Sequence, residues 1–441
     1  MIQKGGVKLF FNFSEPKKNR NFALSFLSAN FLLQLMALAN ENYLKTPEIY
    51  GFDEIEKRVN AYRVLNPKSE LINFGLGDVT LPLPASVIRA LHRASDELGN
   101  KSTFKGYSPP RGYDFLISKI QKDYKAHGIG VDKESVFVTD GAKSTIGNIG
   151  HVLGRDNIIA ITDPVYPVYE NATIMSGRAG TLNEHLQWNN IVYLNCTAAN
   201  NFIPELPKER VDIIYLCNPN NPTGTAMNRT ELKKWVDYAV ENQSIIVYDG
   251  VYSAFISEQD IPESIYEIKG AKKVAIEVRT YSKMAGFTGL RCGYAVFPQE
   301  LTVYTQDAQN IPLIKLWSRR NSYYTNGVPY IVQRAAEAVY SPEGKEEVKE
   351  LIRYYMGNAE IIRHELLRLD FQVFGGINAP YVWVKTPNNM SSWNYFNELL
   401  FLKNIISTPG ILFGKNGEGF VRFSGFANRE IIIQALDRLK R

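Results

Sequence analysis

The chain has 441 residues, 45% apolar and 22% charged, with a formal net charge of +5. That length suffices for two domains, or for one large domain with a smaller companion. Lys/Arg runs are short, so a nucleic-acid partner has no electrostatic support. Three widely spaced cysteines (Cys196, Cys217, Cys292) in strand-like contexts argue against a disulfide framework or a zinc site and fit a reducing compartment, hence the cytoplasm. Five scattered histidines show no ligand spacing, so no metal is expected.

In chain order, "KKNRNFALSFLSANFLLQLMALAN" has basic residues, an apolar run and then Ala37-Leu38-Ala39, the layout of a signal peptide. Ser28, Asn30 and Gln34 interrupt the run, which is also short for a membrane span. The second reading takes Met36 as the natural start and residues 1–35 as a dispensable extension. No later segment is apolar enough to span a membrane. Residues 36–85 are too few for a core of their own and are expected to join the C-terminal segment, 325–441, in a small α+β domain.

Residues 86–324 alternate apolar β-branched runs with helical patterns. The runs are "VFVT", "NIIAIT", "IVYL", "VDIIYLC", "SIIVYDG", "KVAIEVRTYS" and "LRCGYAVF". Between two of them, "RTELKKWVDYAVEN" sets Leu232, Trp235, Val236 and Ala239 on one helical stripe. Continuous apolar strands separated by helices predict an α/β large domain, with a mostly parallel seven-stranded sheet covered on both faces. Beyond residue 325 the pattern predicts a long helix from Pro342 to about Leu369, strands at "FQVFGG", "YVWVK" and "GFVRFSGF", and helices at "SSWNYFNELLFLK" and "REIIIQALDRLK".

Ligands of open α/β sheets bind at the carboxyl ends of strands, and three of these ends carry informative residues. "SIIVYDG" ends at Asp249 with Tyr252 just beyond, "KVAIEVRTYS" leads to Lys283, and "VDIIYLC" runs into the turn "NPNNPTG". Singly, such residues are ordinarily a helix cap, a solvated lysine and a turn. Their order, however, matches the needs of pyridoxal 5′-phosphate. Lys283 can form the Schiff base with its aldehyde, and Asp249 can keep its ring nitrogen protonated. Tyr252 and Asn221 can donate to its phenolic oxygen. Arg291, Thr280 and Ser282 can hold the phosphate, with Gly141, Ala142 and Lys143 at a helix start in "TDGAKSTIGNIG". Tyr166 of "DPVYPVY" can stack on the ring.

NPNNPTG, DGVY and YSKMAGFTGLR in this order resemble the series of class I aminotransferases of fold type I. "GLGDVTLPLP", "FKGYSPPRGYDFL", "NGVPYIVQRAAEAVYSPEG" and "GGINAPYVWVKTP" narrow the resemblance to the LL-diaminopimelate aminotransferases, from about residue 40 to the end. The resemblance implies substrate contacts from Tyr50, Gly77, Lys143, Tyr166, Asn221, Asn326 and Arg422, with Arg422 taking the α-carboxylate. It implies cofactor contacts from Tyr107, Ala142, Lys143, Tyr166, Asn221, Tyr252, Thr280, Tyr281, Ser282 and Arg291, with Lys283 catalytic. Tyr107 and Asn326 would come from the partner subunit of a homodimer. Asn326 would stand where dicarboxylate transaminases use an arginine, which suits a distal end bearing both ammonium and carboxylate. The alternative is a class I transaminase for another amino acid, such as aspartate or an aromatic one. "GVYSAF" replaces the family's "AAYEAF", so Ser253 removes a charge near Tyr252 and is expected to weaken or shift substrate preference.

Overall fold

The computed structural model describes residues 37–47, 51–75 and 77–440. The expectations for residues 1–35 and for Tyr50 fall outside them. The chain divides into two compact units, 1–45 and 46–441. In the first, the described residues form one 3-10 turn, Glu41–Lys45. Every strand and every α-helix among the described residues belongs to the second.

Seven strands form its main sheet: β1 (Val136–Thr139), β2 (Ile159–Asp163), β3 (Ile191–Asn195), β4 (Ile213–Cys217), β5 (Ile245–Asp249), β6 (Ala275–Thr280) and β7 (Gly293–Val296). Their spatial order is β1-β7-β6-β5-β4-β2-β3. Every residue of β2, β4 and β5 is buried, the mark of strands covered on both faces. The expected α/β class and mostly parallel seven-stranded sheet are both present. Only β7 runs against its neighbours, pairing antiparallel with β1 and β6. The reason is local: the stretch 281–292 contains no helix to carry a parallel crossover, so the chain reverses.

The helix Arg229–Asn242 shows how the covering layers are specified. Asn228 accepts from the Glu231 backbone N–H at 2.9 Å, and the Glu231 carboxylate accepts from the Asn228 N–H at 2.7 Å, closing a capping box. Leu232, Trp235, Val236 and Ala239 are its buried face, as their spacing predicts. The long helix Pro342–Arg368 also matches its signals: Ser341 caps it by accepting from the Gly344 N–H at 3.0 Å, and Pro342 needs no donor at the first position.

A second, antiparallel sheet is built from β8 (Val373–Gly375), β9 (Tyr381–Lys385), β10 (Thr408–Pro409) and β11 (Phe420–Ser424), in the order β8-β9-β11-β10. Its core takes residues from the helices Pro342–Arg368, Ser392–Lys403 and Arg429–Lys440, together with Ile72 and Phe74. Ile72–Asn73 pairs in parallel with Ile405–Ile406, and the ring of Phe74 stacks on Phe423 at 4.4 Å. Residues 72–74 thereby reach the C-terminal segment.

The two sheets meet where the turn 218–224 presses on β9. Gly224 has φ +65°, and a Cβ there would lie 2.2 Å from the Tyr381 carbonyl oxygen. Gly375 faces it with φ +67° and a Cβ position 2.1 Å from the Thr223 carbonyl oxygen. Backbone meets backbone, so any side chain at either position would separate the sheets.

Candidate active site

The carboxyl ends of β1, β2, β4, β5 and β6 open into a cavity of about 500 Å³, whose far wall is Tyr381 and Arg422 of the second sheet. That volume suits a small-molecule site. Lys283 enters from the turn after β6, three residues beyond the last paired residue, Thr280. The strand thus stops two residues short of the end of its sequence run, Ser282. The Lys283 ammonium donates to the Gly77 carbonyl oxygen at 2.6 Å and lies 5.5 Å from the ring centre of Phe426. A carbonyl holds the amine without neutralising it.

Asp249 ends β5 and is buried. Burial pushes its carboxyl up to about 6, against hydrogen bonds from the Tyr169 hydroxyl (2.6 Å) and the Val251 N–H (3.2 Å). Among the described residues no cation pairs with it, so a protonated nitrogen placed opposite would meet a carboxylate with little competition. Tyr169 is itself held by stacking on Tyr215 at 5.1 Å. Cys217 pairs in register with Asp249 and also lines the cavity, its thiol pushed up by burial.

Arg291, Ser282 and Thr280 form one corner. The Thr280 hydroxyl donates to Ser282 Oγ at 2.9 Å, and Arg291 Nη1 lies 3.4 Å from the same oxygen and 3.2 Å from the Thr288 carbonyl. Arg291 adopts φ +62°, unusual for a side chain of its size. Gly141, at φ +115°, caps the helix Ala142–Asn148, and a Cβ there would come 2.5 Å from Arg291 Nη2. Only glycine lets the guanidinium lie against this turn. Ala142 and Lys143 line the cavity beside it, where the leading N–H groups of a helix have no partner within the helix. Hydroxyls, a cation and the start of a helix together suit a phosphate.

Arg422 lies in the middle of β11 and is 3% exposed. Its Nη1 donates to Asn221 Oδ1 at 2.7 Å and its Nη2 to the Gly75 carbonyl at 3.1 Å, while its Nε is buried without a partner. It lies 4.3 Å from the ring centre of Tyr381 and 5.0 Å from that of Phe413, and no carboxylate pairs with it among the described residues. A buried guanidinium held only by neutral oxygens favours a carboxylate ligand.

Of the residues singled out from the sequence, Gly77, Ala142, Lys143, Tyr166, Asn221, Asp249, Tyr252, Thr280, Ser282, Lys283, Arg291 and Arg422 line this one cavity. Four described residues do not. Gly141 sits behind Arg291. Tyr107 is 88% exposed, and Asn326 is also outside the lining. The Tyr281 ring turns into the core, its hydroxyl 2.8 Å from that of Tyr340, so the side chain of Tyr281 faces away from the cavity. Ser253 does not face the cavity either: it is buried, and its hydroxyl bonds Arg279 and the Gly250 carbonyl. The charge removed at this position therefore lies behind the Tyr252 loop rather than in the cavity lining. Sequence reading missed Tyr169, Tyr381, Asp78 and Phe52. Tyr169 was legible as the last residue of "DPVYPVY", one helical turn past Tyr166; Tyr381 had no signal beyond an apolar strand.

An amine on a loop, a buried carboxylate, an anion corner and a buried guanidinium share one cavity on a doubly covered α/β sheet, and the family profile for aminotransferases of class I and II matches residues 69–439. The chain belongs to that family and has its fold-type I architecture. Among its relatives, the LL-diaminopimelate aminotransferase of Bacteroides fragilis is 53% identical over 407 residues, covering 92% of this chain and 99% of that protein. That of Methanosphaera stadtmanae is 50% identical over 403 residues, covering 91% and 98%. The solved structure of the L,L-diaminopimelate aminotransferase from Chlamydomonas reinhardtii superposes with a TM-score of 0.85 at 39% identity, covering 92% of this chain and 98% of that one.

Proposed function

We propose that this chain is a transaminase that holds pyridoxal 5′-phosphate. Its reaction interconverts LL-2,6-diaminopimelate and tetrahydrodipicolinate, with 2-oxoglutarate and glutamate as the amino-group partner pair, in lysine biosynthesis. The observation that carries the reading is the convergence of Lys283, Asp249, Arg291 and Arg422 on one cavity of a chain 53% identical to a diaminopimelate enzyme.

The residues fit the cofactor. Asp249 is a buried carboxylate pushed up to about 6, suited to a protonated ring nitrogen, and Gly141 leaves room for the Arg291 guanidinium beside a phosphate. When bound, the cofactor supplies an electrophilic carbon and a ring that draws electrons from the substrate Cα. The chain's residues do the rest. Arg422 and Asn221 orient the α-carboxylate, and Lys283 takes the Cα proton and returns it. Tyr166 would flank the ring, Tyr252 and Asn221 would donate to its phenolic oxygen, and Thr280, Ser282 and Arg291 would hold the phosphate. Gly77 and Lys143 contact the substrate along the cavity wall.

Tyr107 and Asn326 complete the site from the partner subunit of a homodimer, a reading supported by the exposure of Tyr107 outside this chain's own cavity. We divide the chain into a large domain, 86–324, and a small one, 36–85 with 325–441, and place the enzyme in the cytoplasm. The free, buried state of all three cysteines supports that location. No described helix is long and apolar enough to cross a membrane.

Amino-donor profiling of the purified protein tests the substrate. Turnover of LL-diaminopimelate with 2-oxoglutarate is expected; turnover of aspartate or an aromatic amino acid without it would overturn the assignment. Lys283→Ala should lower turnover by about 10⁴-fold while the cofactor remains associated only non-covalently. Near-normal turnover in that variant would refute Lys283 as the proton carrier.

A further inference from the structure

Tyr381 belongs to the cavity wall but to none of the roles above. It opens β9, is 1% exposed, and its hydroxyl lies 2.9 Å from the hydroxyl of Tyr252. The two phenols reach this contact from separate supports. Tyr381 is fixed by strand pairing with Ser424 and by edge contact with Phe426 at 5.8 Å. The loop carrying Tyr252 is fixed from behind, where Ser253 bonds both the Gly250 carbonyl (2.7 Å) and Arg279. Their hydroxyl–hydroxyl bond is thus a side-chain link between two independently anchored segments.

Geometry allows either hydroxyl to donate. A phenol has one proton, so the direction of this bond decides what Tyr252 can offer the cavity. If Tyr252 donated to Tyr381, only a lone pair would remain to face a ligand oxygen. If Tyr381 donates, the Tyr252 proton is free, and accepting a bond makes its hydroxyl a stronger donor. Burial pushes the Tyr252 phenol well above its ordinary range, so Tyr252 keeps its proton at working pH.

We propose that Tyr381 is a positioning residue for Tyr252: its hydroxyl donates to the Tyr252 oxygen and thereby directs the Tyr252 O–H at the phenolic oxygen of the bound cofactor. This rests on the cofactor reading given under Proposed function. Tyr381 acts through Tyr252 and takes no proton from the substrate.

The test is a spectrophotometric pH titration of the holoenzyme's cofactor absorption band in wild type, Tyr381→Phe, Tyr252→Phe and the double variant. Phenylalanine at 381 keeps the ring against Arg422 and Phe426 and removes one oxygen. With Tyr252 a weaker donor, the phenolate is less stabilised, and the midpoint should rise by about half a pH unit or more in Tyr381→Phe. Tyr252→Phe should raise it further, and adding Tyr381→Phe to that background should add nothing, since both remove the same link. An unmoved midpoint in Tyr381→Phe, or an equal shift in both backgrounds, would overturn the proposal. Should Tyr381→Phe fold poorly, the titration of Tyr252→Phe decides: no shift there leaves Tyr381 nothing to position. A wild-type protein with no titrating band would instead sink the cofactor reading itself, so the two failures are distinguishable.

Discussion

Arg279 and Arg422 are both largely buried, and both adjoin the surroundings of Tyr252, yet they are partnered in opposite ways. Arg279 has a protein partner for each nitrogen: Glu277 for Nε at 3.1 Å, Ser253 for Nη1 and the Glu263 carbonyl for Nη2 at 2.6 Å. Burial works against its charge, but Glu277 holds it in the ionised form. Glu277 is in turn bonded by Tyr124 at 2.7 Å and Ser264 at 2.9 Å. Arg422 has only neutral oxygens and an unpartnered Nε. A buried charge that the protein neutralises serves the fold; one that it leaves unbalanced serves a ligand of opposite sign.

Three variants can break or sharpen that contrast. Arg422→Leu carries the largest expected effect, a loss of kcat/KM on the order of 10³-fold, because a desolvated charge contact to substrate is removed. Its melting temperature should hold or rise, since an unbalanced buried cation goes with it. A lower melting temperature with activity retained would make Arg422 structural and erase the difference. Arg279→Met should do the reverse. Breaking a buried pair strands Glu277 and should cost about 3–5 kcal/mol by chemical denaturation, with kcat/KM of the folded fraction changed only a few-fold.

The smallest effect concerns Asp249, the anionic counterpart of Arg422. Its carboxyl is raised from 3.8 to about 6, so its neutral form favours the folded state. The associated stability is present below pH 3.8 and is lost as pH rises through about 6. Cofactor-free Asp249→Asn should therefore match cofactor-free wild type near pH 4 and exceed it at pH 7 by about 2 kcal/mol in urea denaturation. Equal stability at pH 7 would mean that the carboxylate is already neutralised within the protein, which would place Asp249 with Arg279 rather than with Arg422.

Much of the site was legible because its chemistry needs particular residue types at strand ends. Lys283, Asp249, Asn221 and Arg291 each lie just after or just before an apolar run, and the topology of such sheets gathers those ends at one edge. Arg422 was legible through its motif, and the structure supplies the reason: it points from a strand of the other sheet into the same cavity. The side chain of Tyr281 parts from its neighbours because adjacent residues past a strand face different ways; Thr280 and Ser282 reach the cavity while the ring between them enters the core. Ser253, next to Tyr252 in sequence, likewise faces Arg279 rather than the cavity.

By itself the sequence determined the strands and helices, because continuous apolar runs, a capping box and a Ser-Pro-Glu start are local instructions. It also determined the chemistry available at the strand ends. Only the tertiary structure decided the backbone contact of Gly224 with Tyr381 and the pairing of the Tyr252 and Tyr381 hydroxyls across 129 residues. The same holds for which buried arginine is balanced and which is left for a ligand. These depend on groups far apart in the chain meeting in three dimensions, where burial and partner geometry, rather than residue type, set the energy of a charge or a hydroxyl.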